Sequence, residues 1–314
     1  MPKRRPVPSY TTRWGRAYHA DALEILRQLD GDSVALVLTS PPFPLRRQKA
    51  YGNVAASEYV EWFLPFADEV YRVLRPDGSF VLDLGGAWNP GSGTRSLYQY
   101  DLVLRLTAAR SQTGVWERGW YLAQDFYWYN PCKLPTPAEW VTIRRTRVKD
   151  AVNPIWWLSK SKEPQADNRR VLKPYSRSMR RLLRDGYDQA MRPSQHEIGP
   201  HFRRDNGGAI PPNLLEIPNT RSSDDYFQHC RAAGLPIHPA RFPAALPDFF
   251  IRFLTRPRQL VLDPFAGSNV TGWVAESLGR SWVSVEINAD YVAGSRLRFA
   301  EAAATASRPG SAAG

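Results

Sequence analysis

Cysteine is scarce in this chain, with Cys132 and Cys230 the only two. That supply supports neither a disulfide framework nor a four-ligand zinc site. Long apolar runs are missing as well, and none approaches the roughly 20 residues of a membrane span. The opening MPKRRPVPSY is basic but lacks the apolar stretch of a signal peptide. The expected location is therefore cytoplasmic, with no membrane partner. No internal repeat is visible, and the diphosphate-binding pattern G-x-G-x-x-G is absent. Acidic residues are thin between Arg144 and Arg204, where Arg and Lys greatly outnumber Asp and Glu. The formal net charge is +12 over 314 residues. An excess of that size, concentrated in the middle of the chain, points to an anionic partner such as nucleic acid rather than to solubility alone.

What is present reads as α/β. The length suits one large domain with a smaller appended region. Arg16–His19 and Val34–Leu38 read as strands, and residues 57–75 carry helical apolar spacing with Ser57 as candidate N-cap. Pro76-Asp77-Gly78 reads as a turn before a strand over Ser79–Leu84. Later, Leu246–Leu254 predicts a helix with Pro247 in its first turn. Gln259–Leu262 predicts a strand, Val270–Leu278 a helix and Trp282–Glu286 a further strand. Such alternation predicts a mostly parallel sheet with helices on both faces. Residues 161–235 break the rhythm with prolines, glycines and polar residues. They read as an inserted, loop-rich region, with 1–13 as a basic arm and 301–314 as a frayed tail.

Two stretches carry chemistry. The first is TSPPF, residues 39–43, directly after the Val34–Leu38 strand. Pro41 and Pro42 have no N–H and end the ladder, so Ser40, the proline carbonyls and the Phe43 ring are held in a stiff, extended loop. The second is LVLDPFAGSNVTG, residues 260–272. Its strand ends in Asp263, and the tight turn at Gly267 and Ser268 opens backbone N–H groups to a small polar ligand. About 20 residues on, a strand ends in Glu286, placed to accept the hydroxyls of a ribose. A ribose without a diphosphate fits S-adenosylmethionine (SAM) better than NAD.

Together and in this order, TSPPF and DPFAGSNVTG resemble the β class of amino-methylating DNA methyltransferases. HADALEIL (19–26), KAYGN (49–53), RPDGSFVLDLGGA (75–87), DFYWYNPCKLP (125–135), RVKDAVNPIWWLSK (147–160), DNGGAIPPNLL (205–215) and HPARFPAALPDFFIRFLT (238–255) resemble segments of the PvuII-type cytosine-N4 methyltransferases. The resemblance spans roughly 14–300. It implies a Rossmann-like SAM-dependent methyltransferase sheet with circularly permuted motif order. Residues 14–160 would hold the catalytic part, 161–235 target recognition and 236–300 the SAM-binding part. Ser40, Pro41, Pro42 and Phe43 would grip a flipped cytosine. Ser40 and the Pro41 carbonyl would accept from its NH2 beside the Phe43 plate, so that N4 attacks the sulfonium methyl directly. Asp263, Pro264, Phe265, Gly267, Ser268 and Glu286 would hold SAM. Asp21 is either a helix N-cap or a contact on the adenine side. No metal is expected. His238 opens a segment that in the resembled family runs beside the methionine end of the cofactor, but it reads equally as a solvated or hydrogen-bonded loop histidine and is left off the site. Cys132 reads as structural and Trp156 and Trp157 as core. The implied partners are double-stranded DNA, with a palindromic site such as CAGCTG, and a cognate restriction endonuclease in the genetic sense. The protein is expected to be a monomer or weak dimer. Adenine-N6 methylation and a catalytically silent DNA-binding regulator are the alternatives.

Overall fold

The computed structural model describes residues 6–44, 54–108, 119–186, 204–219 and 225–299. KAYGN (49–53) and the tail 301–314 lie outside them. The strands are β1 (Tyr10–Thr11), β2 (Gly15–His19), β3 (Val34–Thr39), β4 (Leu74–Asp83), β5 (Tyr121–Tyr129), β6 (Val152–Ser159), β7 (Leu214–Glu216), β8 (Leu260–Asp263) and β9 (Ser281–Glu286). The helices are α1 (Ala22–Leu26), α2 (Tyr59–Val73), α3 (Tyr98–Ala108), α4 (Arg177–Asp185), α5 (Asp225–Ala232), α6 (Ala245–Leu254), α7 (Val270–Ser277) and α8 (Ala289–Arg296).

All strands join one sheet in the order β1-β2-β9-β8-β3-β4-β6-β5-β7. The run from β2 to β4 is parallel throughout, whereas β6 pairs antiparallel with both β4 and β5. Successive residues of a strand face opposite sides, so a doubly covered strand must be apolar on both. Val37 in β3 packs with α1, α2 and α3, while its neighbours Leu36 and Leu38 pack with α6 and α7. Trp156 and Trp157 divide the same way and are 7% and 6% exposed, so both belong to the core. Phe63 and Phe80 are essentially dry, and burial of such a ring is worth about 1.5–3 kcal/mol.

Three local features differ from expectation. The helix after residue 57 opens on Glu58 without a side-chain cap, so Ser57 is not the N-cap. A backbone turn, Glu58 N to Ala55 O, leads the chain in instead. Pro76-Asp77-Gly78 is not a turn between elements but an irregularity inside β4, across which pairing jumps from Val34–Leu74 to Leu36–Ser79. A bulge can absorb residues without donors while the strand continues. Finally, residues 161–235 are not wholly loop. Leu214–Glu216 adds an edge strand parallel to β5, and α5 buries Tyr226 and Cys230. Three residues between prolines are too few to show alternation. The N-terminal arm is likewise pinned from residue 10, where the Tyr10 hydroxyl lies 2.7 Å from Ser295 Oγ.

Candidate functional site

β3 and β8 are hydrogen-bonded neighbours although their sequences lie far apart. The loops leaving their C-terminal ends therefore face one another, the usual place for a ligand in an open parallel sheet. Between them lies a cleft of about 740 Å³. Ser40, Pro41, Pro42 and Phe43 line it from one side, and Asp263, Pro264, Phe265, Gly267, Ser268 and Glu286 from the other, with Asp21 at the rim. The geometry thus gathers in one place every residue picked from the sequence.

The proline loop is held by glycines opposite. A side chain at Gly85 would collide with the Phe43 ring, so the ring packs closely on the backbone that follows β4. At Gly86 the same space is taken by the Arg95 guanidinium, which is paired to Asp150 at the cleft wall. The Ser40 hydroxyl donates to Asp83 Oδ2 at 3.0 Å. Its proton is thereby committed, and its lone pairs remain for a donor entering the cleft. Asp83 also accepts from Asn153 Nδ2 at 3.4 Å. Burial pushes this carboxyl up to about 6, against the opposing pull of Ser40, Asn153 and the Lys133 ammonium. Asp83 was not among the residues picked from the sequence. Its signal was an acid closing an otherwise apolar strand, SFVLD, and that is visible only when strand ends are inspected for charge.

On the opposite wall Asp263 is 3% exposed. It accepts from Thr39 Oγ1 (2.7 Å), Thr271 Oγ1 (2.8 Å) and Phe265 N (3.2 Å). These bonds tie the end of β3, the turn and α7 together. Burial raises its pKa to about 6, despite those three donors. Gly267 has φ +51°, where a Cβ is disfavoured, and a Cβ there would approach the His238 imidazole at 2.9 Å. His238, read from the sequence as lying outside the site, therefore forms part of the wall. Its pKa falls to about 4 through burial, with the Arg241 and Arg298 cations acting in the same direction, and the ring is neutral near pH 7. Glu286 accepts from Gly267 N at 2.8 Å and from Asn288 N at 2.9 Å. Burial raises its pKa, and each oxygen keeps acceptor capacity toward the cleft. Phe265 stands against Phe66 and Trp62, with ring centroids 5.1 and 6.0 Å away, giving the wall an aromatic floor. Asp21 caps α1 by accepting from Leu23 N and Glu24 N, and it also borders the cleft. Cys132 is exposed and does not line the cleft, its amide N–H bonded to Asn130 Oδ1.

This arrangement resembles known proteins over nearly its whole length. A family model described as DNA methylase matches residues 34–296. The type II methyltransferase M.PvuII of Proteus hauseri is 51% identical over 295 residues, covering 93% of this chain and 85% of that protein. A solved structure of the PvuII DNA methyltransferase (cytosine-N4-specific) superposes with a TM-score of 0.74 at 45% identity, covering 94% and 89% of the two chains. The DNA adenine methyltransferase YhdJ of Escherichia coli (strain K12) is 24% identical over 276 residues, 87% of this chain and 79% of that one. With half its residues shared along nearly all of one relative, and a family model spanning most of its length, this chain belongs to the DNA methylase family.

Proposed function

We propose that this protein transfers a methyl group from SAM to the exocyclic N4 of a cytosine turned out of duplex DNA. The observation that carries the reading is Ser40. Its hydroxyl proton is bound to a buried carboxylate, so its oxygen presents acceptor capacity at the end of β3. An amino nitrogen conjugated to a pyrimidine ring is a weak nucleophile. Hydrogen bonds from its two N–H groups to Ser40 Oγ and the Pro41 carbonyl favour a nitrogen whose lone pair is free to react. Phe43, braced on Gly85, offers the face on which an extruded base stacks.

The Gly267 turn and Glu286 fit a nucleoside group. The turn lines the cleft with its backbone, packed so closely on the His238 ring that a side chain has no place there, and the buried carboxylate faces the cleft with unspent acceptors. SAM supplies an electrophilic methyl on a sulfonium, so no covalent enzyme intermediate is required. Glu286 would accept from the ribose hydroxyls, Phe265 would pack on the purine, and Asp263 would hold the turn in shape. As the C–N bond forms and the C–S bond breaks, N4 sheds one proton. Asp83, reached through Ser40, is a carboxylate near pH 7 and can take it.

Residues 14–160 and 236–300 would then form the methyltransferase proper, and 161–235 the target-recognition region. Helix α4 supports that role, because it buries nothing and exposes Arg181 and Arg184. Exposed arginines suit phosphate contacts, which give affinity and register. A palindrome such as CAGCTG is the proposed site, and protection from a cognate endonuclease the proposed role. Nucleoside mass spectrometry of DNA from cells expressing the protein tests the reaction. N4-methylcytosine is expected. N6-methyladenine as the sole product, or no modified base, would overturn it.

A further inference from the structure

A chain of hydrogen bonds ending on Ser40 begins at a lysine on the far side of the cleft. Lys133 Nζ donates to Asn153 Oδ1 at 3.3 Å, Asn153 Nδ2 donates to Asp83 Oδ1, and Ser40 donates to Asp83 Oδ2. Every donor in this series points toward the Asp83 carboxylate, and all four side chains border the cleft. Lys133 has donors only. Asn153 must therefore turn its carbonyl toward the ammonium and its NH2 toward Asp83. Asp83, an acceptor when ionised, calls for the same orientation from the other side, so the ammonium reinforces it and adds a positive charge behind it.

The lysine is placed by a pinned turn after β5. Its N–H donates to Asn130 O, and Lys149 Nζ holds the Pro131 and Lys133 carbonyls at 2.8 and 3.4 Å. Among the described residues the Lys133 ammonium makes no ion pair with a carboxylate, so its field is available to Asp83. The other groups facing Asp83 are Tyr59 from α2 and Tyr98 from α3, with Arg95 beyond Tyr98 engaged by Asp150. Burial keeps both phenols protonated, so neither adds a charge near pH 7.

We infer that Lys133 is a positioning residue: through Asn153 it fixes the charge on Asp83 and hence the direction of the Ser40 hydroxyl, without touching the base. The inference rests on the reading of Ser40 as the amino acceptor. Removing the ammonium leaves Asp83 buried with its two donors but without the facing positive charge, so its proton is held more tightly. Less of the enzyme is then competent at mildly acidic pH.

The test compares wild type with Lys133→Met, Lys133→Gln and Lys133→Arg on a duplex carrying the methylation site, between about pH 5 and pH 9. The wild-type kcat/KM should climb through an acid limb with a midpoint near Asp83's value of about 6. In the Met and Gln variants that midpoint should move up by about one unit, giving a several-fold loss near pH 6 that shrinks toward pH 8. KM for DNA should stay within about twofold, with the loss falling on kcat. Arg, which restores the charge, should return the limb most of the way. A uniform loss with the limb in place, or a raised KM at unchanged kcat, would make Lys133 a DNA contact and sink the inference. An unshifted limb in whichever neutral variant melts like wild type would do the same. Absence of N4-methylcytosine from wild-type reactions would instead overturn the underlying reading, so the two failures are distinguishable.

Discussion

Asp83 and Asp263 end β4 and β8, the two strands that flank β3. They are equally buried, at 2% and 3% exposure, and burial raises both to about 6. Their partners differ. Asp263 is surrounded by Thr39, Thr271 and the Phe265 amide, which belong to three segments that it fastens together. Asp83 fastens no such set of segments; it is held by the Ser40 hydroxyl of the proline loop and by Asn153. Equal burial and equal displacement of the proton equilibrium thus accompany different work. A perturbed carboxyl does not by itself mark a reactive site; what its hydrogen-bond partners are placed to do decides.

The sharpest break between the two walls should come from isosteric changes. Asp83→Asn keeps the shape and removes the proton acceptor. Its kcat should fall on the order of 10²–10⁴-fold while SAM affinity holds, as read by single-turnover methylation and calorimetry. Ser40→Ala should fall in the same range without a lower melting temperature. If Asp83→Asn keeps near-normal kcat, the proton route through Ser40 is wrong.

On the other wall the expected effect is on binding. Glu286→Ala should weaken SAM by about 2–4 kcal/mol, from two hydrogen bonds to a carboxylate discounted for non-additivity. DNA affinity without cofactor should be nearly unchanged. Calorimetry showing unaltered SAM affinity would remove Glu286 from the site.

Stability against pH separates the carboxylates in the opposite sense. A folded-state value near 6, against an ordinary 3.8, means that the fold favours the protonated acid. That contribution is fully present below about pH 3.8 and is lost as pH rises through about 6. At pH 7.5 the charged Asp83 therefore costs stability. Asp83→Asn should raise stability there by about 1–3 kcal/mol, with the advantage disappearing toward pH 4. Asp263→Asn should gain less, because a single amide oxygen replaces a carboxylate that serves three donors. Denaturant melts at the two pH values read this directly, and equal gains would erase the distinction.

The smallest effects lie away from the cleft. Cys132→Ala should leave product and rate unchanged, because the thiol is exposed and outside the lining. Neutralising Arg180, Arg181 and Arg184 together should flatten the dependence of log K on log salt by about 0.9 for each phosphate no longer neutralised, with sequence preference kept. An unchanged slope would return α4 to an ordinary solvated face.

Local chemistry accounts for what was legible. Apolar strands covered on both faces read plainly, as did Pro247 in the first turn of α6, because periodicity and missing donors are properties of short segments. Proline after β3 and glycine after β8 announced two special loops for the same reason. Less visible were the bulge at Pro76–Gly78, which depends on how a neighbour pairs, and β7, which is three residues long. The surroundings of Asp83, Asn153, Lys133 and His238 were also hidden, since each meets a partner distant in sequence.

By itself, then, the sequence determined the α/β class, the positions of the two loops and the side chains they carry, since these follow from backbone sterics and hydrophobic period. Tertiary structure alone decided that β3 and β8 are neighbours, so that Thr39 bonds Asp263 across 224 residues of chain. It decided also that Asp83 accepts from Ser40 in a buried position that raises its affinity for a proton. Strand order and desolvation are set by packing of the whole chain, and no window of residues contains them.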